Sequence, residues 1–159
     1  MRHLLIALAV LVFDRFSKWL VIHNIALYDT ISIIPGLFRL THLENTGAAF
    51  SLFAESSSPF KTALLIAISV AALIIVAILL WARRKVFNAT TLALSLIMGG
   101  AVGNLWDRLA SGKVTDFLDF YIGAHHWPPF NIADSAIVVG ALLLLWRALQ
   151  KEKQIHAHK

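Results

Sequence analysis

The sequence predicts an all-α membrane protein, a four-transmembrane-helix bundle with a small extracytoplasmic β-sheet between helices 1 and 2. Three observations carry that expectation. Of the 159 residues, 58% are hydrophobic and the mean hydropathy is +0.74, against an apolar share of about 45–50% in soluble domains. A chain this short has too little interior to hide that much apolar surface, so lipid is the expected solvent. Apolar runs of membrane-crossing length recur along the chain, and the stretch after the first of them alternates like a strand.

The charge pattern agrees. Only 14% of residues are charged, and the net charge of +5 comes from short basic flanks. That arrangement suits anionic lipid headgroups and topology control, not nucleic acid. The chain has no cysteine, which excludes a disulfide, a thiolate metal site and a cysteine nucleophile.

Residues 4–25 form the first span. Its beginning imitates a signal peptide, but Asp14, Arg15 and Lys18 follow Phe13 without a small-residue cleavage site, so an uncleaved helix is expected. Asp14 and Lys18 are four apart and can pair on one helix face. Residues 29–60 are extracytoplasmic. Within them Leu37–Leu43 reads as a strand, Asn45-Thr46-Gly47 as a turn and Ala48–Phe53 as a second strand, forming a sheet on the membrane surface.

Residues 61–81 are the cleanest span, with no charge between Lys61 and Arg83. Residues 82–89 form a short loop holding Arg83-Arg84-Lys85. The third span, 90–109, carries Gly99 and Gly103 in a GxxxG pattern that admits a neighbouring helix. Residues 110–129 read as a loop with Gly112, Gly123, Pro128 and Pro129. The fourth span is 130–149, and the tail 150–159 is basic. The whole of 1–159 is one membrane domain. Positive flanks put both termini and the 82–89 loop in the cytoplasm, with 29–60 and 110–129 outside. Trp19, Trp81 and Trp146 fall near span ends, where amphipathic rings sit.

The polar residues gather at one end of the last two spans. Asn104, Asp107, Arg108 and Asp116 follow Gly99, and the fourth span opens with Phe130-Asn131-Ile132-Ala133-Asp134. Two adjacent antiparallel spans bring Asp116 and Asp134 to the same outer face. Two close carboxylates share a proton, the ionised one activating water and the protonated one polarising a carbonyl. On residue chemistry alone, Asp119 is as good a partner for Asp134 as Asp116 is. Asp107 and Arg108 are expected to form an ion pair.

Four blocks carry a family resemblance. They are Asp14-Arg15-Phe16-Ser17-Lys18; Glu44-Asn45-Thr46-Gly47-Ala48-Ala49-Phe50; Gly99 to Arg108 running on through Gly112, Val114, Asp116 and Phe117; and Phe130 to Asp134. In this order the chain resembles the bacterial lipoprotein signal peptidases, also called signal peptidase II. The resemblance implies an aspartic endopeptidase that needs no cofactor or metal. It implies Asp116 and Asp134 as the catalytic pair, with Asp119 a neighbour. Asn45, Asn104, Arg108 and Asn131 would orient substrate or the pair, Gly47 belongs to the same substrate-side motif, and Asp14, Lys18 and Asp107 would be supports.

The implied substrate is a prolipoprotein whose cysteine already carries diacylglycerol, cut just before that cysteine. The implied setting is the bacterial cytoplasmic (inner) membrane, multi-pass, with the active site at the outer leaflet. Membrane lipids are expected as partners, nucleic acid is not, and the protein is expected to be monomeric. Phe38, Phe50 and Phe53 are expected to clamp the substrate there.

Two other readings compete. A proton-coupled transporter would place its acids at mid-membrane and show an inverted repeat, and neither is visible. A non-enzymatic adaptor would tolerate Asp116→Asn and Asp134→Asn. His125-His126 and His156-Ala157-His158 read as surface histidines, since neither pair has a supporting ligand at metal spacing.

Overall fold

The computed structural model describes the backbone of residues 2–47 and 59–157. The expected strand Ala48–Phe53, and with it Phe50 and Phe53 of the clamp, lies outside the described residues. The elements run α1 (Arg2–Asn24), β1 (Thr30–Ile34), β2 (Phe38–Asn45), α2 (Pro59–Ala82), α3 (Ala89–Ser111), β3 (Val114–Ile122), β4 (His125–His126) and α4 (Ile132–Ala157).

Three of the four helices, α2, α3 and α4, are long and apolar enough to cross a membrane. In α1 the charged Asp14, Arg15 and Lys18 interrupt the apolar run. Its surface is nevertheless inverted relative to a helix in water. Leu4, Leu5, Leu8, Val12, Phe13 and Phe16 are exposed, while Asp14 and Lys18 are 0% exposed.

Helix α3 is the axis of the bundle and packs against α1, α2 and α4. Its ends are set locally. Asn88 caps it, its side chain accepting the Thr91 N–H while the Thr91 hydroxyl takes the Asn88 N–H. Gly112 ends it at φ 74°, donating its N–H to the Arg108 carbonyl at 3.0 Å. The glycines let the neighbours close in. A Cβ on Gly99 would lie 2.6 Å from the Ala7 carbonyl of α1. One on Gly100 would collide with the Ala133 carbonyl of α4, and one on Gly103 would lie 2.7 Å from Asp14 Oδ2. The GxxxG pattern thus serves contacts within this chain. Gly140 of α4 returns the approach against Ala93 and Ile97.

The sheet differs from expectation in its membership. It is antiparallel with order β1-β2-β3-β4, so it draws on residues 110–129 as well as 29–60. Residues 110–129 read as a loop because Gly and Pro bracket them. Val114–Ile122 itself is rich in β-branched and aromatic residues, which favour a strand. Strand β1, also unanticipated, pairs with β2. The sheet sits on the end of the bundle through Val21, Ile25 and Phe117, with Leu40, Leu118 and Ile132 packed around them.

One irregularity matters for the site. Leu40 pairs with Leu118 and Leu43 with Asp116, so β2 spends one residue more than β3 between these pairs. Such a bulge reverses which face the following residues occupy. Beyond it Asn45, paired with Val114, shares the face of Asp116. In an unbroken ladder Asn45 would point the other way.

Candidate active site

Asp116 lies on β3 and Asp134 in the first turn of α4, and Asn131 joins them. Asn131 Nδ2 donates to Asp116 Oδ1 at 2.8 Å, and Asn131 Oδ1 accepts the Asp134 N–H at 2.9 Å. The second contact is an N-cap, so the residue that starts α4 also holds the strand carboxylate. Asn45 Nδ2 donates to the other oxygen of Asp116 at 2.9 Å. Asn104 Nδ2 donates to Asp134 Oδ1 at 2.7 Å.

The orientation of all three amides follows from obligate donors. Asn45 Oδ1 accepts the Gly47 N–H at 2.8 Å. Asn131 Oδ1 accepts the Asp134 N–H, and Asn104 Oδ1 faces Lys18 Nζ at 3.3 Å. A carbonyl oxygen must face each of these groups, so each NH₂ turns to a carboxylate. Gly47 contributes through its backbone. It fixes Asn45, and its carbonyl faces Arg108 Nη2 at 3.4 Å. Arg108 Nη1 reaches the Asn104 carbonyl at 3.3 Å, and its charge acts on both Asp134 and Asp116.

Behind the amides lies a buried ionic cluster. Lys18 Nζ is 2.8 Å from Asp14 Oδ2 and 2.7 Å from Asp107 Oδ2. Asp107 also pairs with Arg15. Asp14 Oδ1 accepts the Ala133 N–H at 2.9 Å, satisfying a second N-terminal donor of α4. The expected Asp107–Arg108 pair is replaced by these contacts. Neighbours on a helix point about 100° apart and do not face each other, so Asp107 turns to α1 and Arg108 turns to Gly47.

Asp116 is 3% exposed. Burial, with the Asp134 charge adding to it, pushes its carboxyl up to about 7, against the opposing Asn45 and Asn131 hydrogen bonds and the Lys18 charge. Asp119, three residues on, occupies the other face of β3. It is 1% exposed and engaged by Arg39 Nε at 2.6 Å and His126 Nδ1 at 3.0 Å. The open choice between Asp116 and Asp119 thus has a geometric basis, because only Asp116 shares the Asn131 link to Asp134. Among the described residues, no three His, Cys, Asp or Glu side chains gather as metal ligands would.

The family model described as signal peptidase (SPase) II matches residues 6–150. The chain belongs to the signal peptidase II family. Lipoprotein signal peptidase of Solibacter usitatus is 46% identical, covering 94% of this chain and 91% of the relative. Lipoprotein signal peptidase of Geobacter metallireducens is 43% identical, covering 91% and 88%. Two solved structures described as bacterial membrane enzymes superpose on the chain. One has a TM-score of 0.84 at 29% identity over 96% of this chain and 90% of its own. The other has a TM-score of 0.79 at 31% identity over 93% and 92%.

In this signal peptidase II chain, three side-chain contacts behind the site escaped the sequence. Arg15 is a partner of Asp107 across two helices, and Lys18 reaches Asn104 and Asp107 as well as Asp14. Helical spacing finds partners along one helix only. The glycines opposite Asp14 were the available signal for the α1–α3 approach.

Proposed function

We propose that this signal peptidase II family member, an integral membrane protease that removes signal peptides from prolipoproteins, works as an aspartic endopeptidase through Asp116 and Asp134. The Asn131 bridge between these two carboxylates carries the reading. In this proposal the pair shares one proton, placed on Asp116, whose carboxyl burial lifts to about 7. Asp134 stands at the N-terminus of α4, where the helix dipole favours negative charge. Ionised Asp134 takes a proton from a water, which attacks the scissile carbonyl. Protonated Asp116 hydrogen-bonds that carbonyl oxygen as charge develops on it, and as the C–N bond breaks Asp134 passes the proton it took from water to the leaving amine. Asn45, Asn104 and Asn131 hold the two carboxylates, and Arg108 holds Gly47 and the chain leading into 48–58.

The substrate is a precursor whose cysteine carries diacylglycerol, cut just before that cysteine. All four helices span the membrane, with both termini in the cytoplasm and the acids at the outer face of the inner membrane. The inverted surface of α1 supports its place among the spans: its charges are spent on α3 and α4 while apolar side chains face outward. The protein acts as a monomer, since its small-residue faces are used within the chain.

Purified protein in detergent should convert a diacylglyceryl-modified prolipoprotein to two fragments. Mass spectrometry should find the lipidated cysteine at the new N-terminus. Equal cutting of the unmodified precursor, or a cut elsewhere, would contradict this substrate.

A further inference from the structure

At the end of the bundle away from Asp116 and Asp134, a cavity of about 370 Å³ opens between the end of α2, the first turn of α3 and the stretch 144–151 of α4. Arg83, Thr90, Leu144, Arg147, Gln150 and Lys151 line it. The volume lies near the lower end of the roughly 300–1,000 Å³ of small-molecule sites. The lining carries three cations and no acid. None of the three cations takes part in an ion pair among the described residues. Arg147 Nη1 donates to Gln150 Oε1 at 3.1 Å, and Arg83 Nη1 to the Leu79 carbonyl at 3.4 Å. Each guanidinium has five N–H donors, so most remain available.

Like charges converging on one cavity repel each other unless an anion joins them. The start of α3 adds to the same field. Asn88 satisfies the Thr91 N–H, while the Thr90 N–H, one position earlier, has no partner within the helix. Planar guanidiniums in this setting match phosphate oxygens. Around the cavity the surface turns apolar: Val86, Phe87, Leu145, Trp146 and Leu149 are exposed.

We propose that this cavity binds a phosphate oxyanion, and that its occupant is the headgroup of an anionic phospholipid whose chains lie along the exposed apolar faces. The proposal rests on α2, α3 and α4 being membrane spans and is independent of the aspartate chemistry. A basic pocket between helix ends at a lipid surface is suited to such headgroups. The bound lipid would tie the ends of three helices together at the face opposite the acids.

The test is thermal unfolding of the full-length protein in neutral detergent, titrated with phosphatidylglycerol, with phosphatidylcholine and with sodium phosphate. Phosphatidylglycerol should raise the unfolding temperature saturably, and phosphatidylcholine should not. Arg147→Gln, and separately Lys151→Gln, should weaken the phosphatidylglycerol effect about tenfold in apparent affinity. Arg84→Gln should leave it unchanged, because Arg84 sits over Trp81 outside the cavity. An equal response to both lipids, or an equal loss in Arg84→Gln, would overturn the site in favour of general surface charge. Saturable binding of sodium phosphate without phosphatidylglycerol binding would overturn the lipid assignment. The readout is binding, so failure here leaves the protease reading standing.

Discussion

Asp14 Oδ1 accepts the backbone N–H of Ala133 at 2.9 Å, so a side chain of the first helix completes the N-terminal cap of the fourth. The same carboxylate holds Lys18, which also holds Asp107. The first helix therefore fixes the height and angle at which α4 presents Asp134. Its charges position Asp134 from behind.

Removing one partner of this cluster leaves buried charge uncompensated. Lys18→Met should cost about 3–5 kcal/mol, the range for breaking a buried pair from one side. Unfolding in detergent followed by circular dichroism measures it. A loss under about 1 kcal/mol would mean that the cluster is wetter or looser than its 0% exposure of Asp14 and Lys18 indicates.

Asn131 acts on both acids, so its replacement should show in both stability and rate. Asn131→Ala removes the cap on α4, worth about 1 kcal/mol, and releases the Asp116 carboxylate. A misplaced reacting group can cost on the order of 10²-fold, and kcat should fall by that order while KM changes little. Kinetics on a lipidated precursor separates the two constants. A rise in KM alone would make Asn131 a substrate contact.

The pH dependence follows from Asp116, whose carboxyl burial lifts from 3.8 to about 7. Between those values the folded protein holds a proton that the unfolded chain releases. This contribution to stability is thus complete below pH 3.8 and is lost as pH rises to about 7. Asp116→Asn should be inactive yet better folded than the parent at pH 8, with the difference shrinking toward pH 4. In the parent, kcat/KM should fall about tenfold per pH unit above the Asp116 value as the proton is lost. Asn45→Ala removes a donor that favours the ionised form, so the alkaline break should move to higher pH. A break moving lower would reverse the proton assignment.

Gly100 tests whether the close α3–α4 approach is needed for the site. A methyl group there would collide with the Ala133 carbonyl and come within 2.9 Å of Ile137 Cγ1. Gly100→Ala should push α4 off α3, lengthen the Asn104–Asp134 contact and lower both stability and cleavage. Full activity in Gly100→Ala would show that α4 takes its position from elsewhere.

Helices α2, α3 and α4 were legible because their apolar runs are long enough to cross the hydrocarbon core of a membrane. The polar blocks at Asn104–Asp116 and Asn131–Asp134 were legible because such residues are costly beside lipid. Strand β3 was missed because Gly112 and Gly123 mark its turns, and turn signals alone do not reveal the strand between them. The bulge that brings Asn45 to the face of Asp116 leaves no trace in residue spacing. Cross-helix partners such as Arg15 with Asp107 depend on which helices meet. The glycines of α3 permit that meeting without naming the residues that face each other.

The most direct measurement compares cleavage of a diacylglyceryl-modified prolipoprotein by the parent with Asp116→Asn, Asp134→Asn and Asp119→Asn, each verified as folded. The first two should lose cleavage almost completely, and Asp119→Asn, whose carboxylate faces Arg39 and His126, should keep most of it. Retained cleavage in Asp116→Asn or Asp134→Asn, or loss in folded Asp119→Asn alone, would contradict the assignment of the catalytic pair.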